Sequence, residues 1–338
     1  MPTRHLIQLA KCSLMGAVLT FTISSSAFAQ LPGSGITVQP GQINVDGENF
    51  QTIIVMKGLE RLGYDVKPVQ NAKYPALHIA AANGDITFIA DHWYPLHTAF
   101  FDKAGGGEKL SRGEAMISNC AQGYLIDKKT ADQYGITNIG QLKDPEIAEL
   151  FDADNDGKAD LAGCPPGWGC ERVIEHQLDT FKLRDTIHHN QGTYSAIIAD
   201  TIPRYREGQP VLYYTWTPYW VSGVLVPGKD VVWIEVPFSA LPDNRTTDTT
   251  LSNGKNYGFE VNGQYIVANK SFVENNPAAA KLFELVRVSP NAISAQNLKM
   301  QEKGEGTWEA SVRHADAWIR ANQKTFEGWI EKAIAAAR

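Results

Sequence analysis

Apolar positions along the chain follow two alternating spacings. Short runs rich in β-branched residues, such as residues 86–93 (ITFIADHW), are typical of buried strands. Longer segments with apolar positions three or four apart, such as residues 47–64 (GENFQTIIVMKGLERLGY), predict amphipathic helices. The two kinds of segment follow one another through most of the chain. This order predicts an α/β fold with largely parallel sheets.

The second half of the chain continues the alternation. A polar, turn-rich stretch at residues 239–258 predicts a connecting loop, and the tail at residues 308–338 is expected to be helical. The pattern also predicts helices over residues 138–151, 168–181 and 193–208 and strands over residues 210–221 and 230–237. A strand followed by a helix is predicted over residues 264–289.

Three tryptophans stand at breaks in this pattern. Residues 91–97 (DHWYPLH) and 215–220 (TWTPYW) each place a tryptophan at the end of an apolar strand, two positions before a proline. Because proline is favoured at the first position of a helix, each stretch predicts a strand, an exposed tryptophan and a helix start. Residues 163–171 (GCPPGWGCE) likewise place Trp168 at a helix start. Ligands of open α/β sheets bind beyond the carboxyl ends of strands, so these side chains predict a binding site.

The loop at residues 163–171 also carries a cysteine pair. Five residues separate Cys164 from Cys170, and in an oxidising compartment such a pair is most simply a local disulfide. A zinc site with His176 is the alternative, although no fourth ligand is suitably spaced. Cys120 is then left over, and we expect it to be a buried free thiol.

A cluster of Trp93, Trp168 and Trp216 would form a box of aromatic faces. Such a box suits a quaternary ammonium, which cannot donate hydrogen bonds but is attracted to π-faces. Gly169 and Cys170 fall in the first turn of a helix, where free backbone N–H groups attract a carboxylate. His97 could donate a further hydrogen bond. A methylated ammonium beside a carboxylate describes a betaine.

Composition and charge narrow the class of protein. The 338 residues carry 37 acidic and 31 basic side chains, a formal net charge of −6, which argues against nucleic acid or an anionic membrane surface as partner. The first 29 residues have a basic start, a short apolar run and small residues ending at Ala29. This pattern predicts a cleaved secretory signal, and no later stretch is apolar enough for membrane insertion.

The chain resembles the periplasmic glycine betaine/proline betaine-binding proteins of osmoregulated ABC importers. The resemblance covers nearly all residues after the signal; its most specific stretches are residues 122–145, 151–163, 163–171, 213–220 and 276–283. It implies a two-lobed type II periplasmic binding protein with the ligand in the interlobe cleft. The approximate lobes are residues 30–125 with 240–338, and residues 126–239.

The resemblance also implies site residues and partners. Trp93, Trp168 and Trp216 would form the cage, and His97 with the Gly169 and Cys170 backbone would bind the carboxylate. It implies a Cys164–Cys170 disulfide, a periplasmic monomer and an inner-membrane permease as partner. No cofactor is expected. One sequence does not rank betaines against choline, carnitine or ectoine-like solutes.

Two further readings remain open. Residues 152–160 (DADNDGKAD) resemble the start of a calcium loop, but Gly163 stands where the bidentate glutamate would be, so only a weak calcium site or a plain turn is expected. Its carboxylates belong to Asp152, Asp154, Asp156 and Asp160.

A secreted choline-ester hydrolase would need a nucleophile, for which only Cys120 is a loose candidate, and a sugar receptor would need more polar contacts. We therefore expect a binding protein rather than an enzyme.

Overall fold

A computed structural model describes Met1 and residues 30–338, so the predicted signal peptide lies outside the described residues. The described residues contain these strands: β1 (Thr37–Val38), β2 (Pro40–Gln42), β3 (Asp65–Val66), β4 (Gln70–Asn71), β5 (Phe88–Tyr94), β6 (Leu110–Asp127), β7 (Ala159–Ala162), β8 (Ile187–Asn190), β9 (Leu212–Thr217), β10 (Val231–Ile234) and β11 (Asn262–Asn269).

The α-helices of the same residues are α1 (Asp46–Arg61), α2 (Tyr74–Asn83), α3 (Thr98–Lys103), α4 (Gly106–Lys109), α5 (Lys128–Tyr134), α6 (Pro145–Ala148), α7 (Gly169–Thr180), α8 (Tyr194–Arg206), α9 (Val221–Val224), α10 (Lys270–Asn275), α11 (Pro277–Leu285), α12 (Pro290–Lys303), α13 (Trp308–Ala321) and α14 (Gln323–Ala336). Where one helix was predicted over residues 138–151, short α6 lies between two 3₁₀ turns, Ile139–Lys143 and Glu149–Phe151.

One strand, β6, connects the two halves of the main sheet. The strand order is β4-β2-β5-β11-β6-β9-β7-β8, and β10 also pairs with β6. The first part of β6, as far as Cys120, pairs with β11. From Ala121 onward β6 pairs with β9, and from Tyr124 onward it also pairs with β10. Asn119, next to this change of partner, has a φ of 59°, in the left-handed region. Small β1 and β3 form a separate two-stranded sheet.

The expectation of largely parallel sheets is wrong for the centre of the molecule. Strands β2, β4 and β5 pair in parallel, as do β7, β8 and β9, but every pairing of β6 and β11 is antiparallel. The cause is long-range: β11 comes late in the chain and inserts between β5 and β6. The outer strands keep the βαβ arrangement that the alternation predicts. Leu31–Arg338 pack as one compact unit, and the lobe boundaries stay a prediction.

The two Trp-x-Pro stretches differ locally from the prediction. Pro95 and Pro218 follow cis peptide bonds and do not begin helices, because α3 starts at Thr98 and α9 at Val221. The tryptophans before them are not exposed: Trp93 lies within β5 at 5% exposure and Trp216 within β9 at 4%. Each strand therefore extends past its tryptophan, and the prolines occupy the turns that follow.

The core is built around α1 and the C-terminal helices. Most of α1 is buried, and it packs against β5, α11 and α13. Phe50 of α1 meets Trp318 of α13 edge to face, with ring centroids 6.3 Å apart, and Trp318 stacks on Trp329 of α14. Full burial of one such side chain contributes about 1.5–3 kcal/mol. This packing holds the first turn of α1 firmly beside the strand ends.

Candidate functional site

One cavity brings together all six residues predicted for the ligand site. It lies among the ends of β5 and β9, the first turn of α1 and the start of α7. Its walls include Trp93, His97, Trp168, Gly169, Cys170 and Trp216. The convergence is long-range, because the loop before α7 is distant in sequence from both strands. We refer to this cavity as the cleft.

The tryptophans of the cleft form a corner rather than a sandwich. The rings of Trp168 and Trp216 are 5.5 Å apart at centroids and meet at 69°. A cation in such a corner can lie within about 6 Å of both ring centroids, which is the range of cation–π attraction. Trp93 lines the same cleft from β5. The cleft therefore brings tryptophans of three separate segments together, two of them as a corner of π-faces.

Tyrosines behind the tryptophans fix the ring positions. Tyr219 stacks on Trp216 with centroids 4.3 Å apart, and Tyr194 lies 4.6 Å from the same ring. The Tyr194 hydroxyl donates a hydrogen bond to the Tyr214 carbonyl oxygen at 2.8 Å. Because Tyr194 is itself anchored and Tyr219 stacks on the ring, the Trp216 side chain needs little ordering when a ligand binds.

The loop before α7 combines a disulfide with an anion-binding helix start. Cys164 and Cys170 are disulfide-bonded with Cα atoms 6.0 Å apart, which confirms the predicted bond and leaves no thiolates for a zinc site with His176. Gly167 has a φ of 90°, a conformation that glycine adopts readily, and Trp168 is the N-cap residue of α7. The N–H groups of Gly169 and Cys170 follow in the first turn, where helix geometry provides no partner.

Gly169 also allows a close approach between the loop and the turn that follows β5. A Cβ atom at this position would lie 2.6 Å from Leu96 Cγ and 2.9 Å from His97 Cδ2. Only glycine leaves the His97 ring undisturbed there. The imidazole and the start of α7 thus lie against each other, and their donors can bind one carboxylate.

His97 is fixed as a neutral hydrogen-bond donor. Its Nδ1 is 3.1 Å from the backbone N–H of Trp93, which can only donate, so Nδ1 is the acceptor and Nε2 carries the proton. Burial holds the pKa of His97 well below its usual value, so the ring stays uncharged near neutrality. A neutral imidazole with a directed Nε2–H suits a carboxylate without adding a net charge.

Two other histidines lie behind His97. The Tyr74 carbonyl oxygen accepts from His78 Nδ1 at 2.7 Å, so His78 Nε2 is an acceptor and receives the Nδ1–H of His92 at 2.8 Å. Burial lowers the pKa of His78 to about 4 and the pKa of His92 well below its usual value. All three rings are neutral, and His78 and His92 pack against His97 with ring centroids 6.1 and 5.6 Å from it.

Sequence reasoning missed two polar residues in the cleft, Glu48 and Gln122. Glu48 lies in the first turn of α1 and is 5% exposed. Gln122 lies in β6, where its Oε1 accepts from the Tyr214 hydroxyl at 2.7 Å and its Nε2 has no partner. Neither stands at a break in the pattern, and no local signal distinguishes them from ordinary helix and strand residues. Tyr74 and Tyr214 also line the cleft, together with the apolar residues Ile43, Val45 and Leu96.

The acidic loop at residues 152–160 closes on itself through its own carboxylates. Asp152 accepts from the backbone N–H groups of Asp156 and Gly157, at 3.2 and 2.8 Å, and Asp160 accepts from Ala153. Carboxylate oxygens of Asp152, Asp154 and Asp160 lie within 4.8 Å of one another. Asp156 groups instead with Asp154 and His188. A weak calcium site stays a prediction, tested by comparing the melting temperature in calcium and in chelator.

Comparison with known proteins identifies the family of this chain. Residues 36–321 match the family model OpuAC, the substrate-binding domain of ABC-type glycine betaine transport systems. The chain belongs to this family. It is 53% identical over 324 residues to a glycine betaine/proline betaine-binding periplasmic protein of Escherichia coli, covering 96% of this chain and 98% of that one. The corresponding Salmonella typhimurium protein is also 53% identical, over 322 residues, covering 95% of this chain and 97% of that one.

Solved structures of OpuAC-type proteins share the fold at low identity. An ABC-transporter choline-binding protein has a TM-score of 0.70 at 17% identity, covering 89% of this chain and 96% of that one. Lactococcal OpuAC complexed with glycine betaine has a TM-score of 0.64 at 16% identity, covering 87% and 99%. The predicted two-lobed periplasmic binding-protein fold is confirmed. The family consists of substrate-binding proteins of ABC transporters, which also confirms a binding protein rather than an enzyme.

Proposed function

We propose that this protein binds glycine betaine and proline betaine in the cleft and delivers them to an ABC importer for osmoprotection. The observation that carries the proposal is the convergence of Trp93, Trp168 and Trp216 with carboxylate donors in one cavity. The aromatic corner receives the methylated ammonium by cation–π attraction and by excluding water. The His97 Nε2–H and the N–H groups of Gly169 and Cys170 receive the carboxylate.

The separation between the aromatic corner and the carboxylate donors determines which class of ligand the cleft binds. A zwitterion with both groups close together satisfies the π-faces and the donors at once. Choline lacks the carboxylate and leaves the buried donors unpaired, which costs binding free energy. Carnitine carries a longer spacer between its two ends. A receptor for choline or carnitine is therefore the second candidate function. The aromatic cage is the only feature of the cleft that favours it.

A panel titration tests this function. Calorimetry should give tight, stoichiometric binding of glycine betaine and weaker binding of choline. The matched control ligand is 3,3-dimethylbutanoate, which keeps the shape and carboxylate of glycine betaine but replaces nitrogen by carbon. Equal affinity for this control would contradict the cation cage.

The compartment and partners follow from the same proposal. The relatives are named as periplasmic proteins, and the N-terminal pattern supports export with cleavage near Ala29. Among residues 30–338, no helix of the structure is both long and apolar enough to span a membrane. We expect a monomer whose lobes, residues 30–125 with 240–338 and residues 126–239, present the ligand to an inner-membrane permease. Mass spectrometry of the secreted chain tests the cleavage position.

A further inference from the structure

Glu48 is a buried carboxylate in the wall of the cleft. It faces the same cavity as Trp93, Trp168 and Trp216 and is 5% exposed. Its two oxygens accept from the Gln264 side-chain amide at 3.2 and 3.1 Å, and one also accepts from the Gln51 amide. Amide donors and the N-terminal end of α1 both favour the ionised form of this group. These contacts stabilise the carboxylate once it is ionised, whereas its burial opposes ionisation.

No cation of the described residues forms an ion pair with Glu48. Across residues 30–338, none of the ion pairs involves Glu48 or its buried neighbour Asp91. Asp91 accepts from the Ile43 backbone N–H through one oxygen, and its other oxygen has no partner. A buried carboxylate without a counterion either stays protonated or requires a cation from outside. The cleft beside Glu48 is where a cationic ligand would lie.

We propose that Glu48 is the countercharge for the ammonium group of the ligand and that it releases a proton when the ligand binds. The proposal rests on the proposed function, because it requires a quaternary ammonium in the cleft. In the step, the carboxyl O–H bond of Glu48 breaks and the proton passes to solvent. No other bond changes. The ligand stays chemically intact, and the bound state holds one carboxylate beside one ammonium.

The electrostatics of the free cleft agree with this step. Burial and the charge of Asp91 raise the pKa of Glu48 to about 8, and burial raises the pKa of Asp91 to about 7. A cation within a few ångströms favours the ionised form and lowers the pKa of Glu48. At neutral pH the free carboxyl is thus mostly protonated, and ligand binding shifts it toward ionisation.

Apart from Asp91, the cysteine, tyrosine and histidine groups around Glu48 do not change charge near neutrality. Burial raises the pKa of Cys120 to about 12 and that of the surrounding tyrosine hydroxyls above the usual value, while His97 stays neutral. Asp46 on the same helix has a pKa raised by partial burial. The charges of Asp91, Tyr74, Cys120 and Tyr219 interact with that of Glu48, and His97 and Tyr214 line the same cleft. Asp91 is the neighbour most closely linked to its titration.

Calorimetry in buffers of different ionisation enthalpy measures the proton directly. At pH 7 the wild type should release a sizeable fraction of one proton per bound glycine betaine. Its Kd should fall at least about tenfold between pH 6 and pH 9, because the ionised fraction of a group of pKa about 8 rises by more than that. Glu48→Gln should bind more weakly at pH 9, release a much smaller fraction of a proton and show a shallower pH profile, with Asp91 the remaining titrating carboxyl.

Two controls keep the test decisive. Wild-type binding of 3,3-dimethylbutanoate should be independent of pH from 7 to 9 or weaken as pH rises, since this ligand carries no cation. Asp91→Asn should still release a proton, with the midpoint of its pH profile moved to lower pH because a like charge is gone. These two measurements carry the proposal even where Glu48→Gln fails to fold, as judged by thermal unfolding.

The outcomes separate the two proposals. Tight betaine binding by the wild type without proton release, or an identical pH profile in Glu48→Gln, overturns the role of Glu48 and leaves the proposed function standing. Failure of the wild type to bind any quaternary ammonium overturns the proposed function itself.

Discussion

Removing the indole of Trp168 tests the cage most directly. This side chain projects from the disulfide-closed loop, is half-buried and contacts Trp216 with ring centroids 5.5 Å apart. Trp168→Ala deletes one side of the corner and opens the ammonium site to water. One desolvated π-face contributes about 0.5–2 kcal/mol. Loss of water exclusion adds to this, so the expected change is at least about 1.4 kcal/mol, or a tenfold rise in Kd.

The assay is calorimetric titration with glycine betaine, since the substitution also removes a fluorophore. Trp168→Phe is the matched variant that retains a smaller π-face, and its Kd should lie between those of the wild type and Trp168→Ala. Trp233→Phe is the outside control, because Trp233 lies on β10 away from the cleft and packs near Tyr257. The melting temperature should change little, because the loop remains cross-linked.

Unchanged affinity in Trp168→Ala would refute the cage at this position. An equal loss of affinity for glycine betaine and for 3,3-dimethylbutanoate would refute the cation–π argument, because the neutral ligand has the same shape. A large fall in melting temperature together with the loss of binding would instead assign Trp168 a structural role.

The remaining predictions concern the carboxylate end and the buried acid. His97→Ala should weaken glycine betaine binding by about ten- to a hundredfold, the effect of a hydrogen bond to a charged group, and choline binding far less; equal losses in a parallel titration would exclude a carboxylate contact. Gly169→Ala should weaken binding at least about tenfold, because its Cβ would lie 2.9 Å from His97 Cδ2, while Gly113→Ala, with nothing within 4 Å of the added Cβ, should bind normally. For Glu48 the folded pKa of about 8 lies above the usual 4.5, so its contribution to stability is present below pH 4.5 and is lost as pH rises toward 8. The melting temperature of the unliganded protein should therefore fall over this range, and Glu48→Gln should flatten the decline; a parallel decline in both proteins would show that Glu48 does not cause it.

Local features of the site could be predicted from sequence. In residues 163–171 the cysteine spacing, the glycines and the helix start lie within one short stretch, so the disulfide and the N-terminal donors of α7 follow from local rules. The meeting of Trp93 and Trp216 with this loop could be predicted because strand ends gather at one edge of a sheet. The prediction failed in detail, since both rings are buried within their strands.

Features that depend on long-range pairing could not be predicted. Glu48 occupies an ordinary position of a helix whose apolar spacing indicates only that one face is buried. That its carboxylate meets Gln264, a residue of β11, depends on where β11 inserts, and nothing in the alternation of strands and helices specifies this. The antiparallel centre of the sheet was missed for the same reason.

Strand β6 belongs to both halves of the main sheet. It therefore limits where the chain can be cut or extended when the protein is engineered as a sensor. A break anywhere in residues 110–127 would remove an interior strand from one or both halves of the sheet, because hydrogen bonds to β11 and to β9 come from the same segment. New chain ends or an inserted fluorescent domain belong elsewhere. The exposed turn at residues 252–254, in the polar loop before β11, offers a position where an insertion disrupts no ladder. A split reporter with its new chain ends at this turn would leave β6 intact. The two halves of the main sheet would then stay connected through this strand.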